Sequence, residues 1–379
     1  MKTLKHPSIL KFLAYIKNSD EKWVITERVV PLETLIDKLS PTEICAGLYS
    51  VIEALAFLND RGSICHNNIC QTSIFVASDG TWKVGGLEYM RRFADVTGTF
   101  LQRTKDLRFK GAISPEEQAG KFEKSPLYAH SRDAYSFGVF AEYLLEYLSP
   151  LGECDKCSTF EYRIREEFLN PDPKLRPKFN SLLQDPLFSD DYVSILNFLK
   201  KVTIKTEMEK KIFFSTVSEK LYSLPETTVA TRLVHPLLSR FVLMDQNACE
   251  LVIPHLLTPC KGAVGSRKPV FEPDEINPLL TEDIFRRYVV PEIFKIFQVR
   301  DAHIRMVLLR HFADYVHLMT KSTLTTLFPQ LLLGLRDCND DLVAMTLHAV
   351  ADLVPLMGGD IVIGAKRNRI FTEGTPKVI

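Results

Sequence analysis

One segment of this chain occurs twice, and that repetition limits the possible folds more than any other feature. VPEIFKIFQVRDAHIRMVLLRHFADYV laid on FPQLLLGLRDCNDDLVAMTLHAVADLV aligns Pro291 with Pro329, Ile304-Arg305 with Leu342-Val343, Leu309 with Leu347 and Ala313 with Ala351. The offset is 38 residues throughout. A unit of that length holds a helix pair, which buries its apolar stripe only by stacking on neighbours. A weaker copy starts around Pro236 in HPLLSRFVLMDQNACELVIPHLL, before a Pro/Gly-containing insertion from about Thr258 to Glu282. Proline is expected early in the first helix of each pair, with Asp or Asn in the turn. Helical repeats are therefore expected over 191–365, with a polar tail starting at 366–379. LQDPLFSDDYVSILNFLKK and EKKIFFSTVSEKLYSLP are expected to bridge the repeats to the first half.

A chain of 379 residues implies two or three domains. Its 46% hydrophobic and 25% charged residues mark a globular protein. Lys plus Arg equals Asp plus Glu, 47 against 47, so no net field favours nucleic acid. The eight cysteines, Cys45, Cys65, Cys70, Cys154, Cys157, Cys249, Cys260 and Cys338, are scattered through apolar segments, as buried thiols in a reducing compartment would be. Cys154-Asp-Lys-Cys157 lacks a second pair at zinc-finger spacing and is expected to be a solvated loop. His303, His311 and His317 are spaced irregularly for metal ligation and are expected to be solvated or capping. The basic cluster Lys366, Arg367, Arg369 is expected to be a solvated turn. No apolar run is expected to span a membrane and no signal peptide opens the chain, so the expected place is the cytosol, with peripheral membrane association at most.

The first half is mixed. KWVITERVV is a short β-rich run. In SPTEICAGLYSVIEALAFLNDRG, Ser40 is an N-cap, Pro41 suits the first turn and Glu43 completes a capping box. Ile44, Leu48, Val51, Ile52, Leu55 and Leu58 keep helical spacing, and Gly62 closes the helix. The helix leads into CHNNICQTSIFV, and SIFVASDGTWKVGG then reads as strand, Asp-Gly turn, strand. Downstream stand Ser114-Pro115-Glu116, Asp133-Ala134-Tyr135-Ser136-Phe137-Gly138 and Arg176-Pro177.

In that order and with these gaps, the landmarks resemble the large lobe of a protein kinase: His66-Asn67-Asn68 for His-Arg-Asp, Gly86-Leu87-Glu88 for Asp-Phe-Gly, then Ala-Pro-Glu, Asp-x-Trp-Ser-x-Gly and a late arginine. The resemblance implies that the positions for chemistry are vacated. Asn68 replaces the catalytic aspartate and cannot act as a carboxylate base; losing a positioned base costs ~10² to 10⁴ in rate. Cys70 replaces the loop lysine, Ser73 the metal-holding asparagine, and Gly86 the metal-anchoring aspartate. Glu88 is the one nearby carboxylate that could stand in for it, although a solvated glutamate is the simpler reading. Glu27 and Val29 match the hinge strand that meets adenine through main-chain atoms, yet with the metal groups gone no cofactor and no ATP binding are expected. The resemblance also implies a retained frame, with Glu116 and Arg176 as a buried ion pair, Asp133 fixing the catalytic-loop backbone and His66 packed internally. LKHPSILKF matches a segment inside the small lobe, so the sequence is expected to be a fragment or short isoform of a longer protein.

The expected fold is mainly α and multidomain: a protein-kinase-like large lobe with only the end of the small lobe over 1–190, then a solenoid whose repeats resemble HEAT repeats over 191–365. That combination is similar to the SCY-like pseudokinases, a resemblance reinforced by the GG-x-E replacement, the core of a repeat at Ile304 to Leu309, and LLLGLRD followed by VAMTLH. It implies a catalytically inactive scaffold with protein partners of the ezrin type, bound through the helical repeats. It also implies roles in adhesion and cell migration and sites at lamellipodia and the Golgi. The alternatives are a vesicle-coat adaptor at the Golgi and a weakly active kinase that uses Glu88 and Ser73.

Overall fold

The computed structural model describes residues 5–17, 21–121, 128–149, 155–262 and 275–370. It divides into two compact units, 1–194 and 195–379. The expected Thr258–Glu282 insertion and polar tail are described only at their edges, and Cys154 lies outside the described residues.

The first unit is built on α1 (Pro41–Ala56). Its capping box forms as the sequence requires: Glu43 N–H donates to Ser40 Oγ at 3.4 Å, and Ser40 N–H donates to Glu43 Oε2 at 2.9 Å. The periodic positions Ile44, Leu48, Val51, Ile52, Leu55 and Leu58 are all fully buried. Each such side chain contributes roughly 1.5–3 kcal/mol relative to exposure. The helix then widens into a π-turn at Phe57–Arg61, and Gly62 ends it. The glycine is needed for close approach, because a Cβ there would lie 2.8 Å from Leu58 O; the left-handed residue is Ser63, at φ 50°. By length and composition this helix could cross a membrane, against the expectation from apolar runs, yet 67% of the qualifying stretch is buried inside the protein. It is a core helix.

Strands β1 (Phe12–Lys17) and β2 (Lys22–Thr26) form an antiparallel hairpin, with Leu13, Tyr15, Trp23 and Val24 exposed. β3 (Val29–Pro31), β5 (Ile74–Ala77) and β6 (Trp82–Val84) form a three-stranded antiparallel sheet in the order β3-β5-β6. The β5–β6 turn follows its sequence, with Gly80 at φ 82° and Thr81 N–H donating to Asp79 Oδ1 at 2.9 Å. β4 (Ile64–Cys65) pairs with β7 (Arg91–Arg92), which ties the loop after α1 to the segment after Gly86. Further helices are α2 (Gly98–Thr104), α3 (Pro115–Gln118), α4 (Ser131–Leu148) and α5 (Asp155–Tyr162). Cys157 stands in α5, so the pair expected to lie in a solvated loop is half helical, because 155–162 has enough helix formers and buries Phe160 against the core.

Trp82 on β6 packs directly on Gly47 of α1, where a Cβ would fall 2.1 Å from Trp82 Cε2. The indole is 1% exposed and cannot withdraw. Gly47→Ala is therefore expected to destabilise this unit by about 1–3 kcal/mol through overpacking, read as a lowered urea midpoint with Trp82 fluorescence as the probe.

The second unit is helical. Helix Glu207–Ser223 opens with a capping box from Thr206 and Glu209. The repeat seen in sequence recurs as structure. Asp301 caps helix Ala302–Arg310 by accepting from Ile304 N–H at 3.2 Å, and Asn339 caps Asp340–Met357 by accepting from Leu342 N–H at 3.1 Å. These two helices pack on each other. The prolines do not sit early in their helices. Pro329 is inside Lys321–Leu332, and Pro291 follows a π-turn at Phe285–Val289 that continues the helix begun at Glu282. A π-turn at Val229–Leu233 precedes Pro236 in the same way. Widening the turn relieves the clash between a proline ring and the carbonyl one turn back, so the helix passes through.

Candidate pseudoactive site

The loop after α1 brings His66, Asn68, Cys70, Ser73 and Gly86 into one cluster, held from beneath by α4. Asp133, fully buried in the first turn of α4, is its anchor. Its Oδ2 accepts from His66 N–H at 2.7 Å and Asn59 Nδ2 at 2.8 Å, and its Oδ1 accepts from Asn67 N–H at 2.8 Å. His66 is packed internally. Its Nδ1 accepts from Asn68 N–H at 3.3 Å, which leaves Nε2 to donate to Gly85 O at 2.6 Å. Burial, the largest influence, lowers the imidazole pKa and keeps it neutral.

Each vacated position is filled from within. Asn68 Oδ1 accepts from Phe109 N–H at 2.9 Å, so the amide in the catalytic-base position bonds to the chain's own backbone. Ser73 Oγ donates to Cys70 O at 2.8 Å and accepts from Cys70 N–H at 3.0 Å, which consumes the hydroxyl in a local turn. Cys70 is buried against Thr72 Oγ1 at 3.2 Å. Gly86 adopts φ 64°, ψ 35°, and a Cβ there would lie 2.9 Å from Ser73 Cβ. Glu88 is exposed in a short 3₁₀ turn. The Ser73 hydroxyl is thus engaged within its own turn while Glu88 stands exposed, and among the described residues no three His, Cys, Asp or Glu side chains gather where a metal could be held. Gly86→Asp is expected to lower stability by about 1–3 kcal/mol, because its side chain must displace Ser73; an unchanged thermal midpoint would show that the space is open after all.

Glu27 and Val29 lie apart from this cluster. Glu27 Oε1 accepts from Lys11 N–H at 2.8 Å, Oε2 meets Lys83 Nζ at 3.5 Å, and Val29 pairs with Ala77 in the sheet.

Two ion pairs fix the segment that follows Gly86. Glu116 and Arg176 form the bidentate pair the kinase resemblance implies, at 2.8 and 2.9 Å. Burial works to raise the Glu116 pKa, and the hydrogen bonds from Arg176 outweigh it, holding the carboxyl below its usual range. The second pair escaped sequence reading. Buried Arg108 donates to Glu117 through both terminal nitrogens and also to Asn67 O at 3.2 Å and Leu101 O at 3.1 Å. Arg108 thus clamps the segment carrying Phe109 onto the loop carrying Asn68. The sequence signal was weak, a lone arginine in an irregular stretch.

The histidines gather no metal site: among the described residues no three His, Cys, Asp or Glu side chains do. His311 is buried beside Asp314 rather than solvated, its pKa lowered chiefly by burial. Arg367 pairs with Asp360 at 2.6 Å.

The protein tyrosine and serine/threonine kinase family pattern matches residues 1–186. A Mus musculus protein named for associating with the carboxyl-terminal domain of ezrin is 39% identical over 378 residues, 99% of this chain and 50% of its own length. A probable inactive serine/threonine-protein kinase, scy1, of Dictyostelium discoideum is 25% identical over 93% of this chain and 42% of its own length. The chain is similar to the SCY1-like pseudokinases over nearly its whole length. Human SCY1-like protein 2 is similar at 23% identity over 58% of the chain and 27% of its own length. The chain thus spans about half the length or less of these curated relatives. Within that span the kinase-like unit is a pseudokinase domain, and the internal bonds of Asn68 and Ser73 and the filled space at Gly86 are the physical form of that description.

Proposed function

We propose that the protein is a pseudokinase adaptor that binds the carboxyl-terminal domain of ezrin or a similar partner and organises complexes for adhesion and cell migration. The observation that carries this reading is the 39% identity across 99% of the chain to the ezrin-associating mouse protein. On this reading the second unit is a HEAT-type stack whose surface holds the partner, and the protein works at lamellipodia and peripherally at Golgi membranes. The kinase-like unit is a framework that binds no Mg-nucleotide, a reading supported by the internal bonds of Asn68 and Ser73 and by the filled space at Gly86.

Purified chain titrated with the ezrin carboxyl-terminal domain in a calorimeter is expected to give saturable binding. No heat under conditions where the mouse relative binds would remove the contact from this part of the protein. Mg-ATP is expected to leave the melting temperature unchanged; a saturable rise would overturn the framework reading.

A further inference from the structure

A groove of about 470 Å³ runs between two helices of the second unit, Ala302–Arg310 and Asp340–Met357, within the roughly 300–1,000 Å³ usual for ligand sites. The sequence repeat builds it. At the 38-residue offset, Met306 and Val307 of one helix answer to Ala344 and Met345 of the other, and these four are the apolar lining. The same offset pairs His303 with Asp341 at one end and Arg310 with His348 at the other. A smaller cavity gathers Asp301, Ala302 and Arg305 with Asp337 and Leu342, the starts of both helices, so the two run side by side in the same direction.

The groove therefore has a sign at each end. Asp341 and Arg310 are both exposed, and neither side chain has a hydrogen-bond or ion-pair partner among the described residues. They stand about two helical turns apart, or about 10 Å along the groove. Between them the lining is apolar, and the flexible thioethers of Met306 and Met345 adapt to varied apolar side chains.

We infer that this groove holds an amphipathic helix of a protein partner, with a carboxylate over Arg310 and a basic side chain over Asp341. The groove sets the spacing of its occupant: acid and base about seven residues apart, with apolar residues on the same face between them. The helix dipole sets their order, because an acid is favoured near a helix N-terminus and a base near its C-terminus. The acid thus comes first, and the occupant runs antiparallel to the two helices that hold it. On the adaptor reading, on which this rests, the groove is the surface that the second unit presents, and a helix of this charge order is the class of partner.

The test is fluorescence anisotropy of the full chain with a labelled, alanine-based helical peptide of about sixteen residues. The peptide carries Glu, leucines three and four positions later, and Lys at the seventh, all on one face; a second peptide exchanges Glu and Lys. The Glu-first peptide is expected to bind about tenfold tighter than the exchanged one, and less tightly with added salt. Arg310→Glu is expected to weaken the Glu-first peptide about fivefold, while Lys211→Glu, outside the groove, is expected to change nothing. The double variant Arg310→Glu, Asp341→Lys is expected to invert the preference, an outcome that a folding defect cannot produce. Equal affinity of the two peptides for wild type, or an unchanged preference in the double variant, overturns the inference. So does a dimer in sedimentation that Arg310→Glu dissociates, since the groove would then hold a second copy of the chain. Titration of the same preparations with the ezrin carboxyl-terminal domain separates the two readings. Peptide preference without ezrin binding removes only the ezrin contact, and ezrin binding without peptide preference removes only the groove.

Discussion

Asp133→Ala is expected to lose about 3–9 kcal/mol of stability in the first unit, enough to unfold it under ordinary conditions. The substitution strips the acceptor from three donors at once, His66 N–H, Asn67 N–H and the Asn59 amide. Asp133 itself is fully buried, so no water replaces it cheaply, and each orphaned buried donor costs about 1–3 kcal/mol. A domain holds only about 5–15 kcal/mol in total. Both tryptophans of the chain, Trp23 and Trp82, lie in this unit, so their fluorescence in urea reports on it alone. Asp133→Asn keeps one carbonyl oxygen and is expected to lose less than the alanine. A loss under about 1 kcal/mol for alanine would mean that the loop is fixed by something else.

The second large effect is expected at Arg176. Its guanidinium meets both Glu116 oxygens, donates from Nε to Asn170 O at 2.8 Å and lies 4.9 Å from the Tyr135 ring centroid. Arg176→Ala leaves the Glu116 carboxylate largely buried without its partner, a change that costs about 3–5 kcal/mol. Arg176→Lys is expected to recover little, since a point charge cannot reproduce the two-pronged contact. The pair also predicts a pH dependence. The folded Glu116 pKa lies below its unfolded value, so its contribution is present above the unfolded value of about 4.3 and is lost as pH falls through the folded one. Wild-type stability is expected to fall over that acid range, and Glu116→Gln is expected to flatten the slope. An identical slope in the variant would assign the acid sensitivity to other carboxylates.

The two ion pairs show what could be read in advance. Glu116 with Arg176 was legible because ordered landmarks marked both positions, although 60 residues separate them. Arg108 with Glu117 was not, because a pair nine residues apart in an irregular segment leaves no period and no motif. Helix α1 was legible to the residue at its N-terminus, where capping is a matter of side chains three positions apart. Its C-terminus was read less well. Gly62 ends the helix, but through steric room beneath Leu58 O after a π-turn, a property of three-dimensional approach. Pro291 and Pro329 were misplaced for a related reason: proline predicts a helix start only until a widened or packed helix accommodates it.

Residue type alone determined that the chemistry of phosphoryl transfer is missing, since no folding turns Asn68 or Gly86 into a carboxylate. It also determined the helical character of the second half, because periodicity and caps are local. Only the tertiary structure decided what occupies the vacated positions. Phe109 N–H reaches Asn68 across 41 residues, Ser73 turns back on Cys70, and Arg108 pairs with Glu117. Sequence fixes which groups a loop carries, whereas the direction each group points is set by the nearest unsatisfied partner, and that partner is chosen by packing.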